Sequence, residues 1–324
     1  MIARRRLIAS STALFSATTI RRARAQIAWP RNQPIEIIVP YPPGGGVDMV
    51  ARLVAQHLPA KLPGARLVVV NRAGAGGQVG FEAIFNAAPN GYTLGAVTVP
   101  AINTFALERP VRYRPLDFSF LCNVVDDPNT IYVKTESPIR GIADLVAAAK
   151  ARPGALSYGT TGNGSDDHVL MLSFEEIAEL KPMTHVPFAG AAPLLTQVLG
   201  GHLELGVGNM AEVLAPLRDG VLRCLGNAAP ARWNRAPEVP TFREQGLDLI
   251  SGSARGIVGP PGLPEPVRET LTKAMAEVTT SPAFLADADK AGLPLRILAG
   301  PAYHTMAWEA DRSLGALWKR RPWG

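Results

Sequence analysis

From Ile35 onward, short apolar runs alternate with longer stretches whose apolar residues recur every three or four positions. Short runs bounded by Gly, Pro or Asn read as buried strands, and the longer period reads as one face of a helix. Strands are predicted at 35–40, 67–70, 92–97, 118–125, 130–133, 156–159, 184–186, 203–207, 221–227 and 256–258. Helices are predicted at 47–58, 79–88, 142–150, 168–178, 193–199, 211–217, 266–278, 282–290 and 303–317. Strand–helix alternation over this length predicts an α/β fold with mainly parallel sheets.

Two glycine-rich turns occupy equivalent places in two halves of the pattern. One is Pro43-Gly44-Gly45-Gly46-Val47-Asp48, the other Gly159-Thr160-Thr161-Gly162-Asn163-Gly164-Ser165-Asp166. Each follows a short apolar strand and opens a helix with an early Asp. Two similar lobes are therefore expected, with helix N-termini facing one another across a cleft. The strands at 118–125 and 221–227 would cross between them. That places a discontinuous first lobe at 26–124 plus 225–324 and a second lobe at 125–224.

Charge changes the picture at one end only. The 324-residue chain has a formal net charge of +6, but Arg4, Arg5, Arg6, Arg21, Arg22 and Arg24 all precede Gln26 with no acid among them. The remainder is close to neutral, so the electrostatic footprint of a nucleic-acid binder is missing and no nucleic-acid partner is expected. Residues 1–25 read instead as an export signal: a twin-arginine-like start, a modestly apolar stretch too short to span a membrane, and Ala23-Arg24-Ala25 as a small-x-small cleavage site. The expected location is the periplasm, by the twin-arginine route. An oxidising compartment permits a bridge between the two cysteines, Cys122 and Cys224. Their place on predicted strands reads as two buried thiols.

Candidate chemistry centres on the glycine turns. Gly44-Gly45-Gly46 lacks the Lys-Ser/Thr of a phosphate loop, and neither it nor Gly74-Ala75-Gly76-Gly77-Gln78-Val79-Gly80 has the dinucleotide spacing. No cofactor is expected. What remains is a set of backbone N–H groups at helix N-termini, which suits a carboxylate. Asp48 and Asp166 fall in first helical turns, as helix-capping groups or as groups orienting water or a ligand amine. Asp166-Asp167-His168 contains metal-ligating types, but adjacent helical residues point to different faces, and no metal is expected. A nucleophile elbow is absent. A secreted α/β hydrolase using Ser165 and His168 is the alternative from another class, and a ligand sensor for a signalling partner is a third reading.

Several ordered segments, "YPPGGGVDMVARLVAQHL", "VVVNRAGAGGQVG", "AAPNGYTLGAVTVPAINTFAL", "PGALSYGTTGNGSDDHVL", "HVPFAGAAPLLTQVLGGHLELGVGN" and "EVPTFREQGLDL", resemble the tripartite tricarboxylate transporter substrate-binding proteins, the Bug family of periplasmic receptors. The resemblance runs from about Pro30 to the last predicted helix. It implies a two-lobed periplasmic-binding-protein fold of type II character, a small organic acid or amino acid as ligand, membrane transporter subunits as partners, a monomer and no enzymatic activity. It also implies ligand contacts from Tyr41, Gly44, Gly45, Gly46, Val47 and Asp48, and from Thr160, Thr161, Gly162, Asn163, Gly164, Ser165 and Asp166. The segment Thr98, Ala101, Ile102 and Asn103 and the turn Pro187, Phe188, Ala189, Gly190 and Ala191 would complete the walls. This chain departs from the family pattern at Pro100, where relatives often carry His, and at Ser251 to Arg255, where many carry Trp. The pair Asp166-Asp167 adds acid beside the expected anion site.

Overall fold

The computed structural model describes residues 29–323. The expected export signal and its cleavage site lie outside the described residues. In chain order the elements are β1 (Ile35–Val39), α1 (Gly46–His57), β2 (Leu67–Asn71), α2 (Gln78–Phe85), β3 (Thr93–Val99), α3 (Ala101–Glu108), β4 (Ser119–Lys134), α4 (Ile142–Ala151), β5 (Ser157–Thr160) and α5 (Asp166–Ile177). Then come β6 (Thr184–Pro187), α6 (Ala191–Leu199), β7 (Leu205–Asn209), α7 (Met210–Arg218), β8 (Leu222–Asn227), β9 (Gly252–Gly259), α8 (Glu265–Thr279), α9 (Pro282–Lys290), β10 (Leu295–Ala299) and α10 (Pro301–Arg320).

The organising element is β4. Its first part pairs with β9 and β10, and its last part with β7 and β8, all antiparallel. Beyond β9 lie β3, β1 and β2, and beyond β7 lie β5 and β6. The outer pairs β1–β2, β1–β3, β5–β6 and β5–β7 are parallel. The sheets are thus mixed rather than mainly parallel, because every partner of the crossing strand runs against it. Two lobes result, each a sheet segment covered by helices on both faces, as the near-continuous burial of β1, β3 and β7 requires. In lobe one, α1, α8 and α9 cover one face through Val50, Val54, Met275 and Phe284. The other face is covered by α2, α3 and α10 through Phe81, Ile102 and Tyr303. Lobe two places α4 and α5 on one face and α6 and α7 on the other.

Three elements differ from their sequence reading: β10, which pairs antiparallel with β4, is not predicted at all, and two others differ for identifiable reasons. The runs at 118–125 and 130–133 are one strand. The intervening Asp126-Asp127-Pro128-Asn129 looks like a turn, yet Gly252 pairs with Pro128 and Asn129 N–H donates to Ser251 O at 3.0 Å. A helix, α3, follows β3 where only a strand end was expected, because Pro100 sits at its N-cap and Asn103-Thr104 break its apolar face.

The second crossing also moves. All of β8 pairs with the lobe-two end of β4, and Leu225, Ala228, Phe242 and Leu249 pack in the same core as α4 and α5. The boundary drawn at 224 therefore falls inside lobe two, and the chain returns at Ser251–Ser253, beside Asp127 and Pro128. This separates the cysteines. Cys122 pairs near Ile257 and Ala299, whereas Cys224 pairs with Tyr132, ten positions along β4. At ~3.3 Å per residue that is roughly 30 Å, far beyond disulfide reach. Both are buried free thiols, and burial pushes each up to about 12. No helix among the described residues is long and apolar enough to cross a membrane.

Candidate functional site

A cavity of about 1060 Å³ lies between the lobes. Its lobe-one wall begins at the turn from β1 to α1. Gly44 takes φ +89°, a left-handed conformation that glycine adopts without Cβ strain. Asp48 fastens this turn from beneath. Its carboxylate accepts from Gly44 N–H at 2.9 Å, from Arg52 at 2.8 and 3.0 Å, and from Asn71 Nδ2 at 2.9 Å. Asn71 Nδ2 also reaches Tyr41 O at 2.9 Å. Burial alone would raise the Asp48 carboxyl, but the bonds from Arg52, Gly44 and Asn71 outweigh it and hold the group below its usual range. Asp48 is thus a loop rivet and does not line the cavity.

Gly45 is the N-cap of α1 and offers no side chain, so this end of the helix opens on the cleft uncapped. Gly46 has a different constraint: a Cβ there would lie 2.3 Å from the Arg255 guanidinium. Tyr41 and Thr98 share a hydrogen bond of 2.9 Å, and burial pushes the tyrosine up to about 12. From α3, Ala101 reaches the cavity. Asn103 does not: it is fully buried and donates to Asp311 of α10 at 3.0 Å, and Ile102 is in the core. The same helix brings Phe105, Glu108 and Arg109 to the wall. The Arg109 guanidinium lies 4.1 Å from the Phe105 ring centre, and its Nε is buried without a partner.

The facing wall is the turn from β5 to α5. Thr161, Gly162, Asn163, Ser165 and Asp166 line the cavity. Thr160 is turned inward, hydrogen-bonded to His185 Nε2 at 2.6 Å. Gly164 lies behind the wall; its carbonyl accepts from Thr104 of α3 at 2.6 Å and so ties the two lobes. The Thr161 hydroxyl and N–H both donate to Asp167, at 2.6 and 3.1 Å. Ser165 caps α5 by accepting from His168 N–H at 3.2 Å. The His168 ring accepts from Gly164 N–H through Nδ1 at 3.2 Å and stacks on His185 at 3.9 Å. Burial, with His185 beside it, pushes His168 down to about 3. Ser165 thus meets the backbone of His168 and not its imidazole, which is not the geometry of a nucleophile and its base. Beyond β6, Phe188, Ala189, Gly190 and Ala191 line the cavity, with Gly190 the uncapped N-cap of α6.

The floor is a charged cluster where the lobes join. Arg255 on β9 donates to Asp127 Oδ2 at 2.9 Å and to Asn209 Oδ1 at 3.0 Å, and its Nη2 lies 4.0 Å from Glu212. Ala211 N–H, in the first turn of α7, donates to Asp127 Oδ1 at 3.1 Å. Asn209 N–H donates to Glu212 at 3.3 Å. Asp166 accepts from Asn129 Nδ2 at 2.7 Å and Asn209 Nδ2 at 2.8 Å, and Asn129 Nδ2 also reaches Asp167 at 3.0 Å. Burial raises Asp127 although Arg255 opposes it. Burial and the neighbouring acids raise Asp167 well above the carboxylate range, and burial pushes Glu212 up to about 7. Among the described residues no group of His, Cys, Asp and Glu could hold a metal ion.

Arg255, Glu212, Asn209, Asp127 and Arg109 escaped the sequence reading. A lone Arg in a strand and a Glu at the third position of a helix carry no local signal. The helical spacing of Ala101, Phe105 and Arg109 would have found the last, had α3 been recognised.

Comparison with known proteins agrees with this architecture. The chain matches the tripartite tricarboxylate transporter family receptor profile over residues 50–313. It is 31% identical over 284 residues to Protein BugT of Bordetella pertussis, covering 85% of this chain and 86% of that protein. A TctC solute-binding protein from Polaromonas, solved without ligand, superposes with a TM-score of 0.76 at 30% identity, covering 91% of this chain and all of that one. Rpa4515 of R. palustris, solved with adipate, superposes with a TM-score of 0.77 at 26% identity, covering 90% of this chain and 97% of that one.

Proposed function

This chain belongs to the tripartite tricarboxylate transporter receptor family, whose members are solute-binding receptors rather than enzymes, and from that premise we propose that it captures a small organic carboxylate or amino acid in the periplasm and presents it to the membrane subunits of a tripartite transporter. One observation carries the reading: the uncapped N-terminus of α1 opens on the inter-lobe cleft at Gly44–Gly46, opposite the loop at 161–166 of the other lobe. A carboxylate there would meet backbone N–H groups and the positive end of the helix dipole. Desolvating it takes both lobes, so binding would favour the closed arrangement. The proposed contacts are Tyr41, Gly44 to Val47, Thr98 and Ala101 from lobe one, and Thr161 to Asn163, Ser165, Asp166 and Phe188 to Ala191 from lobe two.

The adipate complex of Rpa4515 supports including six-carbon diacids among the ligands to be tried. Thermal-shift and calorimetric titration against a panel of mono-, di- and tricarboxylates and amino acids tests the proposal, with turnover assayed in parallel. Saturable stabilisation without turnover is the expected result; no saturable binder in the panel would sink it. Export is a separate part of the proposal. Mass spectrometry of periplasmic protein should find Gln26 at the N-terminus, and replacing Arg4, Arg5 and Arg6 by Lys should block export if the twin-arginine route is used.

A further inference from the structure

Chain passes between the lobes within β4 and at Ser251–Ser253. A further contact joins them through side chains. Over its first half α10 belongs to lobe one: Tyr303 and Ala307 lie in that core, and Asp311 accepts from Asn103 of α3 at 3.0 Å. The far end of α10 lies on α5 of lobe two. There Leu317 and Trp323 are buried with Leu172 of α5, and Val169 of α5, Leu107 of α3 and Trp318 pack against them. This cluster stands apart from the cores of the two lobes and draws on both.

Helix α5 is patterned for two contacts. Leu170, Met171 and Phe174 face the lobe-two core. Val169, Leu172 and Glu176, spaced three and four apart, make a second stripe that meets the end of α10. Arg320 donates to Glu176 at 2.8 and 3.3 Å, an exposed pair that contributes little. Arg321 donates to Leu172 O at 2.8 Å and to Glu175 Oε2 at 2.5 Å, and the Glu175 side chain is only 1% exposed. Removing the guanidinium while Glu175 stays buried would strand a carboxylate. The same helix opens with the cleft loop. Gly164 of that loop gives its carbonyl to Thr104 of α3, and a Cβ on it would lie 3.0 Å from Trp323 Nε1, so the segment beyond α10 reaches the loop itself.

Rotation of the lobes about β4 must therefore peel the end of α10 from α5 or drag it along. We infer that residues 317–323 form a strap that holds α5 of lobe two against lobe one, keeping the loop at 161–166 facing the α1 turn, and that releasing the strap lets the cleft spread. Arg321 is its positioning residue: it acts on the cleft through α5. Release uncovers Glu175 to water, where the acid needs no partner, so the strap has a docked and a free arrangement rather than a graded series. The inference goes beyond ligand capture and does not depend on which acid is bound.

Spin labels on cysteines introduced by Gln56→Cys in α1 and Thr196→Cys in α6, both exposed positions, report the width of the cleft by double electron–electron resonance on the exported protein without ligand. The native thiols are buried and stay unlabelled. Arg321→Gln strands Glu175 only while the strap is docked, so the ratio of longer to shorter separations should rise about tenfold or more over wild type. Adding Glu175→Gln keeps an oxygen for Met183 N–H, removes the stranded charge, and should return the distribution most of the way to wild type. Such recovery on changing a second strap contact is not expected of a tail that only pads the fold. Trp323→Ala strands no charge, should lengthen the separation in the same direction, and carries the test if circular dichroism shows Arg321→Gln unfolded. A wild-type distribution in the folded Arg321→Gln protein, or in Trp323→Ala where that variant stands in, overturns the inference. So does a double variant no closer to wild type than Arg321→Gln alone. No ligand enters the measurement, so its failure leaves the carboxylate reading standing.

Discussion

Replacing Arg255 by Met removes the one cation held within the hinge cluster and keeps most of the volume. In the wild type the guanidinium is 2.9 Å from Asp127 and 3.0 Å from Asn209, and Asp127 is fully buried. After the substitution Asp127 keeps a single donor to its carboxylate, Ala211 N–H. A buried carboxylate deprived of its partner costs about 3–5 kcal/mol. Burial already raises Asp127, and loss of Arg255 raises it further. A carboxyl whose folded pKa exceeds its unfolded value binds its proton more tightly when folded, so its contribution worsens as pH rises through that window. The Arg255→Met deficit should therefore be full at pH 8 and smaller at pH 5. Adding Asp127→Asn removes the charge, leaves an oxygen for Ala211 N–H, and should recover half the loss or more. Urea unfolding followed by circular dichroism, with unchanged slope as the condition for comparing midpoints, measures each step. A loss under about 1 kcal/mol at pH 8, against the 3–5 kcal/mol expected, would refute the reasoning, as would a double variant no more stable than the single one.

Gly45→Leu should abolish ligand binding without unfolding the protein, because a Cβ at Gly45 meets nothing within 4 Å and φ is −79°; calorimetry beside circular dichroism checks both halves, and wild-type affinity would count against the site. Thr161→Ala should cost stability by about 1–2 kcal/mol through the lost hydroxyl bond to Asp167, and a thermal or urea midpoint equal to wild type would contradict it. Glu212, pushed up to about 7 from an ordinary value of 4.5, should lower stability as pH rises between those values, by on the order of 2–3 kcal/mol. His168, held neutral with a pKa of about 3, works oppositely below about pH 6.5, so the informative quantity is the wild-type curve minus that of Glu212→Gln, which should fall from pH 4.5 to 7. Thiol counting on denatured, non-reduced protein should find two free thiols per chain, since Cys122 lies near the start of β4 whereas Cys224, on β8, pairs with Tyr132 near its other end.

Much of this molecule is written locally. The alternation of short apolar runs with helical periodicity places nearly every strand and helix, because burial of a strand or of one helix face dictates residue type at fixed spacing. The glycine turns at 44–46 and 162–164 declare themselves for the same reason: a tight turn before a helix restricts the residues that can occupy it. What the local pattern leaves open is where a polar side chain turns. Asp48 and Asp166 both stand in first helical turns, yet Asp48 is drawn beneath its loop by Arg52 and Asn71 while Asp166 faces the cleft. Asn103, read as a wall residue, is drawn away by Asp311, 208 positions along the chain. The continuity of β4 through Asp127 and Pro128 depends on strands from both lobes and on an arginine 128 positions later. Those partners are distant in sequence, so no window of neighbouring residues records them; the charge balance of the cleft was decided only when the lobes came together.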